Sequence, residues 1–512
     1  MVNFATLAKN ARLGRSGWTR SGLSDTELLT SNPKRRQVAR FAANMTYGVA
    51  TLMLGACNVG PEHVRPDPDL PAQFVEAKSA EYASDEVASS VWAAFGEPEL
   101  NALIKRALSK NTSIAQALAR LDENRAFLGL SRYSLFPTVT AAAAGERSKA
   151  SGQDPMIPPD QAGITTRYRA GFDLSWEIDL FGSLRRQKES IVRQVGADQA
   201  SLEDVRLVIV AEVAQAWFAL RGTQARLLVQ ERNLANLIDN LKILNEQLEA
   251  GRGTELDVSR SNALGLSVAA LIPSTRAEIT HHEQRLAVLT AQPVAALREQ
   301  LAPVMALPEL PATVFVGTPE EWLRRRPDIR AAEWRLAREV STIGVQTAEF
   351  FPKLTLLGGF GSTAQTLGNL AGGNTDRWQF GPSLTWSFLD FGRVRQRVVA
   401  QRAKTEGAIA AYKETWLRAL EETENALAGY RAANQSTDIL SQAVVASRKA
   451  LELGRMRFDA GASDYLVVLD AERSLLDFED QRAQAATRRA TALAVLYKAL
   501  AGDFARAQSE SP

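Results

Sequence analysis

The stretch from Arg169 to Gly182, RAGFDLSWEIDLFG, alternates polar and apolar side chains along almost its whole length. Its apolar members are Ala170, Phe172, Leu174, Trp176, Ile178 and Leu180. Alternation with a period of two places each set on one face of a β-strand, so the stretch predicts a strand that is apolar on one face. A tilted strand needs about 9–11 residues to cross a bilayer, and tryptophan suits a lipid-facing or interfacial position.

A similar stretch, RWQFGPSLTWSFLDFG, runs from Arg377 to Gly392 in the second half of the chain. We therefore predict two tandem repeats, over residues 97–300 and 318–502, each a single supersecondary unit. The strands are expected at about residues 137–147, 167–181, 353–362 and 377–390. Trp176 and Trp386 are expected to face lipid from the second strand of each pair.

Long segments with helical character follow each pair of strands. We predict helices over residues 183–250, 254–290, 393–460 and 464–500. The first of the two helices after each strand pair contains no proline and would reach roughly 100 Å at 1.5 Å per residue. The second helix, which returns towards the strands, should kink at Pro273 in the first repeat. Three glycines mark the turns at the helix tips, because glycine accepts the left-handed backbone that ends a helix: Gly251, Gly253 and Gly461.

The only cysteine of the chain, Cys57, follows a basic cluster and an apolar segment that ends in Leu54-Gly55-Ala56. A charged region, a short apolar region and small residues before a cysteine are typical of a bacterial lipoprotein signal. We predict that residues 1–56 are a signal peptide and that the thiol of Cys57 carries lipid. Residues 57–96 then form an extended, proline-rich strap, and residues 503–512 form a C-terminal tail.

Composition argues against several other classes of protein. The formal net charge of +2 provides no basic excess for nucleic acid, and the mean hydropathy of −0.17 argues against a bundle of membrane helices. Phosphate-binding loops, zinc motifs and nucleophile elbows do not occur with the spacing that their chemistry requires, so we predict no enzyme activity and no cofactor. His63, His281 and His282 are predicted to be solvated helix residues and not metal ligands.

Four strands per chain cannot stand alone in a membrane, because open sheet edges leave backbone groups without hydrogen-bond partners. Two copies would supply about eight strands, whose interior is filled by side chains, whereas three copies supply about twelve strands around a lumen. We therefore predict a homotrimer with a 12-stranded transmembrane β-barrel. Both strand pairs lead into helices in the same direction, so the helices should continue the barrel as a tube.

Together these features resemble the TolC/OprM-type outer-membrane efflux factors, in particular the NodT-like lipoprotein branch that serves resistance-nodulation-division (RND) pumps. The most specific motifs are Cys57 with Val59-Gly60-Pro61 and Arg65-Pro66, the segment from Arg324 to Glu333, the pair Phe351-Pro352, the two strand ends, and the segment from Gly461 to Ala471. The resemblance implies a mixed α+β protein, lipid-anchored in the outer membrane and extending into the periplasm as an α-helical barrel. It also implies a passive exit duct for drugs and other small molecules, with a periplasmic membrane-fusion adaptor and an inner-membrane RND pump as partners.

Two other interpretations remain open. A duct for type I secretion or for nodulation signals would have the same fold and would differ only in cargo, which partner proteins determine. A soluble coiled-coil scaffold would make the tryptophan-rich strands and the signal accidental. The lipoprotein signal favours the multidrug branch over the first of these alternatives.

Closure of such a duct is predicted at the helix tips, where a trimer brings six turns around one axis. The candidates for holding the tips together by ion pairs are the acidic Asp464 and Glu255 and the basic Arg252, Arg455 and Arg457. The related channels also close at this tip, with an acidic residue two positions after the glycine, where this chain has Ser463. The alternative is that these charges are only solvated at the helix ends.

Overall fold

The computed structural model describes residues 58–67, 71–78, 82–83, 95, 97–153, 155, 158, 163–305, 307–311 and 313–501. The chain divides into two units, Met1–Cys57 and Asn58–Pro512, and the first unit lies outside the described residues. The predicted signal peptide, the predicted lipidation site Cys57 and the predicted tail 503–512 therefore lie outside them as well. In the described ranges, every helix falls short of the length or the hydropathy that crossing a bilayer requires.

The same order of elements occurs in both halves of the chain: helix, two strands, a very long helix and a returning helix. The first half contains β1 (Tyr82–Ala83), α1 (Pro98–Lys110), α2 (Thr112–Tyr133), β2 (Thr138–Lys149), β3 (Ile164–Ile178), α3 (Ser183–Glu249), α4 (Glu255–Ala269), α5 (Leu271–Thr290) and α6 (Val294–Leu301). The second half contains β4 (Val314–Phe315), α7 (Pro319–Arg325), α8 (Pro327–Ala348), β5 (Lys353–Ala364), β6 (Asp376–Thr385), α9 (Phe391–Asp459) and α10 (Tyr465–Ala499).

The four long strands form one antiparallel sheet in the order β2-β3-β5-β6, which leaves β2 and β6 at its edges. One row of opposite residues across this sheet consists of Ala141, Phe172, Phe360 and Trp378. The next row consists of Thr140, Asp173, Gly359 and Gln379. Because successive side chains of a strand point to opposite faces, the sheet has one apolar and one polar face.

The strand boundaries differ from the prediction mainly at the end of β6. This strand stops at Thr385 instead of residue 390, because the next residue turns back to another segment: the indole N–H of Trp386 donates to the carbonyl of Phe350 (3.1 Å). Trp386 therefore lies just beyond the strand in which it was predicted. β3 runs from Ile164 to Ile178, so it begins and ends earlier than the predicted residues 167–181.

The long helices α3 and α9 contain 67 and 69 residues, so each extends about 100 Å at 1.5 Å per residue. Gly251 and Gly461 take left-handed φ angles of 71° and 69° at the tips, whereas Gly253 does not take a left-handed φ. The returning helix of the first half breaks at Ala270, three residues before Pro273, whose ring disturbs the preceding helical turn. Pro273 lies in the first turn of α5, where its missing N–H would have no partner within the helix.

The largest buried cluster lies about halfway along the long helices, where α1, α3, α9 and α10 contribute side chains. Trp217 and Phe218 of α3 are fully buried there, and Phe95 packs edge-on against Phe218 with ring centroids 5.0 Å apart. A smaller cluster lies towards the helix tips and consists of Leu244, Val444, Leu451, Tyr465, Val468 and Leu475. The same helices are therefore packed much more extensively at mid-length than near their tips.

Candidate functional site

The apolar face of the sheet is strongly exposed. Phe172, Phe360 and Trp378 stand opposite one another on β3, β5 and β6 and are 58, 64 and 77% exposed. A contiguous aromatic surface of this kind marks a membrane or protein contact. The opposite face carries Asp173 and Gln379, which suit contact with water. The sheet is therefore built to separate an apolar from an aqueous environment.

Two tryptophans make matching contacts in the two halves of the chain. The indole N–H of Trp176 donates to the carbonyl of Leu135 (3.0 Å), just before β2, and that of Trp386 donates to Phe350, just before β5. Trp176 is partly buried, and Trp386 is 49% exposed. An apolar ring with one polar handle suits the boundary between membrane and water. The sequence pattern did not indicate these hydrogen bonds, although Leu135 and Phe350 directly precede the repeated pairs Phe136-Pro137 and Phe351-Pro352.

The tip between α3 and α4 uses its polar groups locally. The hydroxyl of Thr254 accepts from the backbone N–H of Asp257 (3.2 Å) and donates to its carboxylate (2.6 Å), which caps the start of α4. Arg252 and Glu255 are exposed, and neither forms an ion pair within the described part of the chain. Within one chain, this turn therefore contributes no charged contact that would hold the tip.

The tip between α9 and α10 contains an ion pair that the sequence did not predict. Arg455 of α9 donates to the carboxylate of Glu472 on α10 (3.0 Å), and the same oxygen accepts from the side-chain amide of Asn240 on α3 (2.7 Å). Arg455 is thus linked to Glu472 and not to Asp464 or Glu255. Arg457 and Asp464 are exposed, with no ion pair among the residues that the structure describes.

Further polar contacts join the same three helices above the tip. The carboxylate of Glu479 on α10 accepts from Arg232 of α3 (3.2 Å) and from Arg448 of α9 (2.7 Å). Arg226 of α3 pairs with Asp480 of α10 (2.7 Å). Glu472 and Glu479 are both only 4% exposed. They line a cavity of about 410 Å³ together with Arg232, Arg448, Arg455 and several asparagines. These groups form a polar zone between α3 and the α9–α10 hairpin.

Two carboxyl groups of this zone respond differently to burial. Burial raises the pKa of Glu472, although Arg455 and Asn240 favour its charged form. Burial also tends to raise the pKa of Asp480. The hydrogen bonds from Arg226, Gln230 and Gln484 and the positive charge of Arg226 outweigh burial and hold this pKa below its usual value. In the described structure, the Oε2 atom of Glu472 is buried without a hydrogen-bond partner. Of the two acids, Glu472 therefore has the less complete set of hydrogen bonds.

A second charged cluster lies where α3, α8, α9 and α10 meet. The buried Arg326 donates to Asp328 (2.7 Å) and to Glu422 (2.8 Å), and Lys498 also pairs with Glu422 (2.6 Å). Burial is the larger and the negative charge of Asp328 the next cause that raises the pKa of the neighbouring Asp204 to about 6. The positive charges of Arg326 and Lys498 lower this pKa but do not cancel the rise. The cluster therefore contains three acidic groups, Asp204, Asp328 and Glu422, and two basic groups, Arg326 and Lys498. Asp204 is the acid whose charged form burial disfavours.

The histidines are placed differently from the prediction in one respect. His63 lies in the strap and not in a helix, and its ring is partly buried. His281 and His282 are neighbours on α5, with ring centroids 5.7 Å apart. In the ranges covered by the structure, three or more His, Cys, Asp or Glu side chains do not come together in a way that could hold a metal ion.

Comparison with known proteins gives the class of the molecule. The family model described as outer membrane efflux protein matches residues 103–292 and 318–502. Nodulation protein T of Rhizobium leguminosarum bv. trifolii is 30% identical over 454 residues, which cover 89% of this chain and 96% of that protein. Outer membrane protein OprJ of Pseudomonas aeruginosa is 30% identical over 472 residues, covering 90% and 97%. The solved structure of the outer-membrane channel OprN matches with a TM-score of 0.82 and 36% identity, over 87% of this chain and 99% of that one.

The two-faced sheet, the helices of about 100 Å and these matches define an outer-membrane efflux channel. The chain belongs to the outer membrane efflux protein family. The family resemblance and the efflux role predicted from the sequence are thereby confirmed.

Proposed function

We propose that three copies of the chain form a 12-stranded transmembrane barrel, continued by a tube of long helices, and that this trimer is the passive exit duct of a tripartite RND-type pump. The observation that carries the proposal is the sheet, with its exposed aromatic face, its polar face and its two unpaired edges, β2 and β6. Edge backbone groups must be paired inside a bilayer, and β6 of one copy can pair with β2 of the next.

Disulfide cross-linking tests this assembly. In a Cys57→Ser background, one cysteine replaces Thr140 on β2, and a second is moved along β6 through Gln379, Gly381 and Ser383. At least one pair should link three chains covalently in outer-membrane fractions. Cysteines at Thr140 and Asp173, which lie opposite each other within one chain, serve as the control and should link no second chain. Linkage that stops at dimers would contradict the trimer, and recovery of the chain in a soluble fraction without lipid would support the scaffold interpretation.

We also propose that Cys57 anchors the duct by lipid. The barrel should hold the protein in the membrane far more strongly than an acyl chain, which alone gives only marginal binding. Cys57→Ala should therefore abolish labelling with palmitate and weaken, but not eliminate, trimer assembly. Retained palmitate labelling would show that another residue carries the lipid.

The cargo depends on the partners. An exit duct for nodulation signals stays a second candidate, because Nodulation protein T and OprJ are equally similar to this chain. Cross-linking in cells followed by copurification identifies the adaptor and the inner-membrane transporter. An RND pump among the products supports drug and small-molecule efflux, whereas a transporter of another class supports the alternative.

A further inference from the structure

Both long helices begin with basic residues directly after the sheet. α9 contains five cations and no acidic residue between Phe391 and Thr405; they are Arg393, Arg395, Arg397, Arg402 and Lys404. α3 places Arg185, Arg186 and Lys188 before its first acid, Glu189. Neither helix has an acidic residue in its first turn. Cations at this end oppose the positive pole of the helix macrodipole, and a bound anion would offset both.

Only part of this charge is neutralised within the chain. Arg393 lies 3.3 Å from Asp390, and Arg397 pairs with Glu349. Arg395 and Arg402 are exposed, and neither has an ion-pair partner in the part of the chain that the structure describes. These two residues are two turns apart on one flank of α9, with Cα positions separated by about 10 Å along the axis. This flank presents uncompensated positive charge.

The flank lies immediately below a group of aromatic side chains. The ring centroid of Phe391 is 6.3 Å from that of Trp386 and 6.0 Å from that of Phe350, and Leu389 is 88% exposed. Aromatic side chains at the end of membrane strands mark the edge of the hydrocarbon layer. The headgroup layer beyond it is about 5–8 Å deep, and Arg395 follows Phe391 by about 6 Å along the helix, which places it in that layer. Arg402 follows Phe391 by about 16 Å, so its Cα lies roughly a Debye length below the layer, and its long side chain points back towards the helix N-terminus and the membrane.

We propose that a basic collar, defined as Arg395 and Arg402, binds anionic phospholipid headgroups of the leaflet at the helical end of the sheet. This inference rests on the membrane placement proposed above. Charge complementarity selects the ligand: cations next to a membrane boundary attract anionic lipid, and the attraction falls off within about a Debye length. The collar holds the channel at a fixed depth, in addition to the aromatic side chains.

Lipid selectivity of the full-length trimer tests the collar. The trimer is inserted into phosphatidylcholine vesicles with a minor fraction of phosphatidylglycerol, and spin-labelled forms of each lipid report which one is immobilised by the protein. The wild-type trimer should select phosphatidylglycerol. Arg395→Gln should lower this preference on the order of fivefold, the equivalent of about 1 kcal/mol for a cation near the surface, and the addition of Arg402→Gln should lower it further by a smaller factor. The matched control, Lys413→Gln with Arg418→Gln, removes two exposed charges farther along α9 and should keep the preference.

Each possible outcome decides a separate point. If the wild-type trimer inserts but does not distinguish the two lipids, the collar assignment is wrong and the channel proposal stands. If the control variant loses the preference as strongly as the collar variant, general charge and not the collar selects the lipid. If inorganic phosphate displaces labelled phosphatidylglycerol at an equal phosphate concentration, the site binds free phosphate and not lipid. Failure of the wild-type chain to insert would overturn the proposed function itself.

Discussion

The middle of the helical region and its tip are built from the same three helices, α3, α9 and α10, but different forces hold them. In the middle, Trp217 and Phe218 are fully buried in a large apolar cluster, and Arg221 is enclosed by Glu99 and backbone carbonyls. Near the tip the apolar cluster is small, and contacts around Glu472 and Glu479 border a cavity. Dense apolar packing resists rearrangement, whereas polar contacts exchange with water at little net cost. We therefore expect the middle to maintain the fold, and we propose that the tip is the part that opens.

Truncation of a mid-length core residue should have the largest effect on stability. Trp217→Ala leaves a cavity and removes the hydrogen bond from the indole to Glu99 (3.0 Å), so it should lower the free energy of unfolding by about 3–5 kcal/mol. Thermal unfolding of the detergent-solubilised trimer measures the change. Leu475→Ala in the smaller tip cluster is the comparison variant and should cost less. Equal losses from both would mean that the tip is as firmly packed as the middle.

The sequence predicted this architecture well wherever one physical demand dictates a regular pattern. A two-faced sheet requires alternation, and helices of this length require long segments without proline, so both elements were visible. Pro273 likewise indicated the interruption of the returning helix. Local contacts were not visible: the hydrogen bond that takes Trp386 out of β6 leaves no periodic signal. Glu472 and Glu479 were overlooked although they lie on the buried stripe of α10 that includes Val468 and Leu475. Acidic residues on an apolar stripe indicate buried polar partners. The partners Asn240 and Arg232 lie on α3 in the other repeat, so the sequence around Glu472 and Glu479 does not reveal them.

The charged cluster around Arg326 should make the middle of the molecule sensitive to pH. Asp204 has a pKa of about 6 in the folded chain, above its ordinary value of 3.8. An acid whose pKa is raised by folding binds its proton more tightly in the folded state, so stability is lost as the pH rises through 6. Asp204→Asn should therefore raise the free energy of unfolding at pH 8 by about 1–3 kcal/mol and change little near pH 4.

Thermal unfolding of wild type and Asp204→Asn across this pH range measures the effect. Asp122→Asn removes an exposed carboxylate that pairs with Arg125, and it is the control. Its stability should follow wild type at every pH. A constant difference between Asp204→Asn and wild type from pH 4 to pH 8 would show that the substitution acts through packing and not through the charge.

The smallest effect on stability, and the largest on conductance, is expected at the tip. We propose that the hydrogen bond from Asn240 of α3 to Glu472 holds the α9–α10 hairpin against α3, and that Arg455 keeps Glu472 charged and in place for this contact, instead of the predicted contacts of Asp464 and Glu255. Arg455 is 46% exposed but Glu472 is only 5% exposed, so the loss of Arg455 leaves a buried carboxyl group with Asn240 as its remaining partner and should lower the free energy of unfolding by about 1–2 kcal/mol. Glu452→Gln alters an exposed carboxylate of α9 that pairs with Lys449, and it is the matched control.

Single-channel recordings in planar bilayers can separate these contacts. Arg455→Ala and Glu472→Gln should each raise the open probability, and the double variant should add little, because both changes remove the same ion pair. Mild acid should act in the same direction on wild type, since burial raises the pKa of Glu472 and protonation removes its charge. In cells, both variants should increase sensitivity to solutes of the size of vancomycin. If Asp464→Ala opens the channel as strongly as Arg455→Ala, a contact between neighbouring copies holds the tip; if neither variant differs from Glu452→Gln, these charges are only solvated.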